Sequence, residues 1–249
     1  MQLRRPLREN IPSGDTDPTY IETNIPWTLR TIGDDRQQGY LLIDYMIRKQ
    51  GFQRIGIIRA SNRYGRFGVR EINDAARWLG WPTVIEMAYG LGATDLSTQL
   101  ERIKAAQADA VVHWGDAQES ALILNQMRKM GMTQPYFTSD RSISDDFVKL
   151  AGENTEGVVS ASPWNPDRKD PKLTEFRAAF RKRFHEEAET YAAHAYDGMS
   201  LLIWAIRAAG PDRAEIVDRM KSLSPWKGAS GTVRWDPHGR NDRGVIVRE

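Results

Sequence analysis

The sequence predicts an α/β fold, a parallel sheet with flanking helices, and three observations predict it. Between residues 34 and 160, short apolar runs alternate with amphipathic stretches. The repeat is roughly 25 residues, a little under one β–α–β unit. Each run is strand-sized and leads into a helical pattern rather than a hairpin turn, which calls for parallel strands with right-handed helical crossovers. After residue 160 the alternation stops and helices dominate, which points to a second lobe poor in strands.

Residues 1–26 read as irregular chain, because Pro6, Pro12, Ser13-Gly14-Asp15 and Asp17-Pro18 are breakers. A helix is expected from Asp34, with Leu41, Leu42, Tyr45 and Met46 on one face and Gly51 as its stop. The first strand covers Ile55 to Ile58. The next helix runs from Tyr64 to Leu79, turns Val69, Ile72, Ala76 and Leu79 inward, and ends at Gly80. Strands follow at Thr83–Met87, Ala110–His113, Pro135–Thr138 and Gly157–Ser160. The helices between them start at a Thr94 or Asp95 cap, at Ala117 and at Ser144. Further helices span Pro171–Phe184, Tyr191–Ala209 and Ala214–Leu223. The tail holds strand-like Thr232–Trp235 and Val245–Val247 around an Asp236-Pro237-His238-Gly239 turn. Trp78 and Trp204 lie within helical patterns and are expected in the core.

Composition excludes several functions. Among 249 residues, 35 basic and 33 acidic side chains leave a net charge of +2, too balanced for a nucleic-acid partner. Cysteine is absent, so a disulfide framework, a thiolate metal site and a cysteine nucleophile are excluded. The residues up to Asn10 lack the apolar core of a signal peptide, and no apolar run is long enough to span a membrane. His113, His185, His194 and His238 form no metal-ligand spacing, and His113 reads as a core histidine. Gly90-Leu91-Gly92 lacks the third glycine of a dinucleotide fingerprint, and neither a Walker loop nor a GxSxG elbow occurs. The chain calls for no cofactor, no metal and no catalytic residue.

Three loops carry the chemistry. Asn62, Arg63 and Tyr64 follow the first strand, Trp114 and Asp116 follow the third, and Asp140 and Arg141 follow the fourth. A parallel sheet brings all three loops to its carboxyl edge, where small ligands bind in open α/β folds. Two aromatics with acids and cations around them suit a small-molecule cleft. Taken singly, each residue also reads as a cap or a packing residue; three loops in register favour binding.

Several segments carry a resemblance: Thr31–Gly39, Arg63-Tyr64-Gly65, Gly92–Ser97, Ala108–Val111, Glu156-Gly157-Val158, Ala195-Tyr196-Asp197 and Gly231–Asp236. In this order and spacing the chain resembles the substrate-binding proteins of branched-chain amino-acid-type ABC transporters, of the type 1 periplasmic-binding fold. The resemblance implies two lobes joined by three crossovers with the ligand in the cleft between them. It implies that residues 1–32 are the tail of the first lobe and first crossover, 33–160 the second lobe, 161–228 the helical part of the first lobe, and 229–249 the third crossover and last strands. By position, Tyr64 matches the family's cleft tyrosine, Trp114 stands where an aromatic usually lies, and Asp140 matches the acid that holds a ligand's α-ammonium. Tyr191 falls on an aromatic contributed by the first lobe. Arg63 and Arg141 are unusual neighbours for that acid and suggest an acidic or aromatic-acid ligand.

The implied function is capture of an amino acid or small organic acid, delivered to an ABC permease by a monomeric periplasmic protein. A ligand-sensing regulatory or receptor domain of the same fold is the alternative. The family's opening strand–helix series has no counterpart here, so the resemblance implies a partial chain with weak or absent ligand affinity.

Overall fold

The computed structural model describes residues 16–22, 25–242 and 245–248. They fall into two compact units. One takes in the chain up to Asp34 and the stretch from Pro163 to residue 244; the other takes in Asp35–Ser162 and the chain end from Val245.

The second, the sheet unit, holds helix α2 (Asp35–Asp44), β1 (Ile55–Ala60), α3 (Arg63–Trp78), β2 (Ile85–Tyr89) and α4 (Ser97–Ala105). It continues through β3 (Ala110–Trp114), α5 (Ala117–Lys129), β4 (Tyr136–Thr138), α6 (Asp145–Ala151), β5 (Val159–Ser162) and β8 (Ile246–Arg248). The strand order is β2-β1-β3-β4-β5-β8. β1 to β5 run parallel, and β8 closes the edge antiparallel to β5. The expected parallel sheet with flanking helices is therefore present.

Strand alternation divides the core in two. Ala110, Val112 and Trp114 of β3 face the layer of α2 and α3, with Leu42, Ile43, Met46, Val69, Ile72 and Ala76. Val111 faces the opposite layer, packed with Leu100, Ile103, Ile123, Leu124, Met127 and Phe147.

Several boundaries differ from the sequence reading. The first helix does not run on regularly to Gly51. It loosens into a π-helical turn over Tyr45–Lys49, and Ile43 rather than Leu41 is fully buried. β2 lies two residues later than expected, at Ile85–Tyr89. Trp78 is 71% exposed, because it sits off the inward stripe of α3 and packs on Tyr40 at 5.7 Å.

The other unit holds a single helical turn, α1 (Thr19–Glu22), where irregular chain was expected. Asp17 accepts from both the backbone N–H and the hydroxyl of Thr19, which starts the turn after Pro18. The expectations for residues 1–15 lie outside the described residues. The three long helices are α7 (Pro171–Phe184), α8 (Thr190–Ala209) and α9 (Arg213–Ser222). Asp170, Glu189 and Asp212 cap them, each accepting backbone N–H groups of the first turn. Trp204 is 41% exposed: α8 buries Ala193, Asp197, Leu201 and Ala205, and position 204 lies off that stripe. β6 (Trp226–Lys227) and β7 (Thr232–Val233) make a short antiparallel pair, of which only the second strand was expected.

Two buried anchors hold this unit. Arg30 and Asp34 form a fully buried ion pair at 3.3 Å. Around it, Trp235 Nε1 donates to Arg30 O (2.8 Å) and Asn241 Nδ2 donates to Thr31 O (2.8 Å), stitching the early chain to the tail. On α8, the Asp197 carboxylate accepts from Ala229 N (2.9 Å), Ser230 N (2.7 Å) and Ser230 Oγ (2.5 Å). Truncating Asp197 strands three donors in the interior. Asp197→Ala is expected to cost about 3 kcal/mol, read as a drop in thermal midpoint against Asp218→Ala as an exposed control.

Candidate functional site

The carboxyl edge of the sheet carries the site. β1 ends at Ala60, and Asn62 caps α3 by accepting from Gly65 N at 2.9 Å. That cap sets the first turn of α3 and with it Tyr64. Gly65 lets the turn sit on the strand: a Cβ there would lie 2.0 Å from Ala60 O. One turn on, a Cβ at Gly68 would lie 2.0 Å from Trp114 Nε1, so the absent side chain is the space the indole fills.

Trp114 corrects an expectation. It is the last residue of β3 rather than a loop residue, and it is 0% exposed. The pleat turns it inward against α3, so it cannot offer its face to a ligand in this conformation. It supports Tyr64 instead, with ring centroids 5.9 Å apart. Tyr64 is half-buried, and its hydroxyl donates to Asp140 Oδ1 at 3.1 Å. Asp140 opens a 3₁₀ turn, Asp140–Ser142, just after β4, and is 9% exposed.

Arg141, next on that turn, pairs with Asp116 at 2.9 Å. Its guanidinium carbon lies 4.4 Å from the centroid of the Tyr64 ring. One tyrosine thus meets the indole at the end of β3 and a carboxylate and a guanidinium from the turn after β4. Arg63 has its guanidinium over Phe67 at 4.4 Å, where Arg70 also rests at 4.8 Å. Tyr191 is the second residue of α8 in the other unit, and its backbone N–H goes to the Glu189 carboxylate. Asn62 acts as a cap, and Asp116 at the start of α5 acts as the partner of Arg141.

Beneath the rim, on the opposite face from Trp114, lies a buried polar network that the loops alone did not announce. His113 is stacked between Tyr89 (5.8 Å) and Tyr136 (6.3 Å). Burial, with Glu119 and Asp116 nearby, pushes the Tyr89 hydroxyl far above its ordinary range, and this hydroxyl shares a hydrogen bond with His113 Nε2 at 2.8 Å. The other imidazole nitrogen, Nδ1, faces Thr138 Oγ1 (3.3 Å) and Ser142 Oγ (3.4 Å). Ser139 and Ser142 both donate to Gly115 O, at 3.0 and 3.1 Å. The turn carrying Asp140 and Arg141 is in this way fastened to the loop carrying Asp116. The reading of His113 as a core histidine agrees with this environment.

Among the described residues no group of His, Asp and Glu side chains could hold a metal ion, and no helix is long and apolar enough to cross a membrane. A surface concavity of about 970 Å³ lies at the start of α7. Two of its cations have acid partners: Arg168 pairs with Asp170 and Arg177 with Glu187.

The arrangement is that of an α/β protein with aromatic and charged groups gathered at the carboxyl edge of a parallel sheet. The periplasmic binding protein family matches residues 8–249, and the chain belongs to it. A Leu/Ile/Val-binding protein homolog 1 from Brucella abortus (strain 2308) is 29% identical over 92% of the chain. An amino acid binding protein from Pseudomonas aeruginosa is 26% identical over 92% of the chain. The chain spans 62% and 61% of the length of these curated relatives. In structure it is similar to a leucine-binding protein LivK from Thermotoga maritima, with a TM-score of 0.83 at 23% identity over 91% of this chain and 66% of that one. It is also similar to a solute-binding protein from R. palustris in complex with benzoate, with a TM-score of 0.84 at 16% identity over 96% of this chain and 66% of that one. Both likenesses show the type 1 periplasmic-binding fold.

Two outcomes follow from the geometry. Gly68→Ala forces the indole of Trp114 to move and is expected to cost about 1–3 kcal/mol, with loss of near-ultraviolet circular dichroism at the aromatic bands. Burial lowers the His113 pKa from 6.5 to about 3, and burial lowers that of His194, in the other unit, to about 4. Both folded pKa values lie below the unfolded value, so the stability they support is complete above about pH 6.5 and is lost as pH falls towards them. Unfolding free energies from urea titrations between about pH 6.5 and 5, above the carboxylate range, should fall by up to about 1.4 kcal/mol per pH unit per histidine, and His113→Asn should remove one share of that slope.

Proposed function

We propose that the chain is the solute-binding component of an ABC importer and that its sheet unit contributes a ligand-binding rim built on Tyr64, Asp140, Arg141 and Asp116. The ligand is an amino acid or a related small organic acid, the protein works in the periplasm, and its macromolecular partner is a membrane permease. It performs no catalysis.

The observation that carries this reading is the bond from Tyr64 to Asp140. A nearly buried carboxylate held by a phenol at a sheet's carboxyl edge is suited to a ligand ammonium group, with the hydroxyl fixing its direction. Belonging to the periplasmic binding protein family supports capture over sensing, and the names of the curated relatives support amino acids. Trp114 and Asn62 serve the rim from behind, one as the support of Tyr64 and the other as the cap that sets it. Tyr191, Arg63 and the residue spans of the two lobes remain part of this proposal on the strength of the resemblance.

The test is a nuclear magnetic resonance titration of the chain with free amino acids up to about 10 mM, a range that registers even weak dissociation constants. Asp140→Asn keeps the shape and removes the charge. It should weaken binding of an amino acid at least about 30-fold, the penalty expected when one partner of a desolvated charge pair is lost. Tyr64→Phe should weaken it by a smaller factor. Equal titration curves for wild type and Asp140→Asn would refute the assignment.

A further inference from the structure

The rim's most distinctive feature is the position of Arg141. In a site for an aliphatic amino acid, an aromatic ring beside the ammonium-binding acid offers an apolar wall to the side chain. Here a guanidinium lies over that ring, 4.4 Å from its centroid. A ligand side chain approaching Tyr64 from that direction meets a cation rather than a hydrocarbon surface. From the acid at the tip of the phenol to the cation over its ring, the two charges lie within the reach of one tyrosine.

The placement is enforced from three sides. Arg141 sits on a turn whose Ser139 and Ser142 hydroxyls are both fixed to Gly115 O, and the residue after Gly115 supplies the carboxylate that holds Arg141. The ring beneath is fixed in turn by Trp114 and by the Asn62 cap. The guanidinium is therefore oriented before any ligand arrives.

It is also exchangeable. The Arg141 and Asp116 side chains are 41% and 39% exposed. A half-exposed ion pair is held weakly. A carboxylate that meets the planar guanidinium with both oxygens has the better geometry and can take over the contact.

We infer that Arg141 is a specificity-determining residue and that the ligand is an amino acid with a carboxylate in its side chain, its ammonium group on Asp140 and its side-chain carboxylate on Arg141. The inference rests on the rim being an amino-acid site. It differs from the branched-chain preference that the relatives' names would suggest.

The experiment compares L-glutamate, L-aspartate, L-leucine and benzoate as ligands of the full chain by nuclear magnetic resonance titration. Wild type, Arg141→Leu and Arg141→Lys are used, with folding checked by the unchanged dispersion of the free spectra. Wild type should prefer glutamate or aspartate to leucine. Arg141→Leu should weaken the acidic ligand about 30-fold and leave leucine within about threefold, with Arg141→Lys in between, because lysine keeps the charge and loses the fork.

Equal weakening of leucine and glutamate by Arg141→Leu would place the α-carboxylate, not a side-chain group, on Arg141 and overturn the inference. So would leucine binding wild type as tightly as glutamate, with Asp140→Asn still abolishing both; the amino-acid assignment would then stand alone. Benzoate binding without glutamate binding would also overturn it, in favour of an aromatic acid. If no amino acid binds, the proposed function fails together with the inference.

Discussion

The carbonyl oxygen of Gly115 is the point on which the rim depends. It accepts from two serine hydroxyls of the next loop, and this shared acceptor couples the loop after β3 to the turn after β4. Through it, the loop carrying Asp116 and the turn carrying Asp140 and Arg141 are held together. Gly115 can serve because it lacks a side chain: a Cβ would fall 2.2 Å from the Tyr89 hydroxyl and 2.6 Å from His113 Nε2. The polar network around His113 is fully enclosed, and a satisfied buried network of this kind fixes one arrangement of its members. Rim chemistry and network thus occupy opposite faces of the same strand end.

Much of the fold was legible because helices and strands impose different periods on apolar residues. Val69, Ile72 and Ala76 marked the inward stripe of α3, and the strand runs marked β1, β3, β4 and β5. What escaped was information that local pattern does not contain. Ending the third strand at His113 instead of Trp114 changed the meaning of the tryptophan, since strand parity decides which side chain points inward. Trp78 and Trp204 belong to helices but lie off their buried stripes, which residue type alone does not reveal. The antiparallel partners of β6 and β8 depend on pairing between distant segments.

The site was legible as a set of loops but not as a circuit. Tyr64 and Asp140 were both expected at the edge, and their hydrogen bond joins residues 76 positions apart. The pairing of Arg141 with Asp116, and its place over Tyr64, depend on the 3₁₀ turn that follows β4. Asn62 carried the right signal for two roles, and the backbone N–H of Gly65 decided between them. In the helical unit, Asp197 stood in a recognisable segment, but its partners at Ala229 and Ser230 lie far along the chain.

Gly65 has a consequence for how the chemistry of the rim can change. Because the first turn of α3 rests directly on the terminal carbonyl of β1, the scaffold of the tyrosine position tolerates no drift. The backbone at 64, 116, 140 and 141 is set by the Asn62 cap and by the serine bonds to Gly115 O, groups other than these four side chains. Selection can therefore exchange one functional group for another at these positions while the chassis stays fixed, so that the chemistry of the rim changes by a few substitutions rather than by rebuilding a fold.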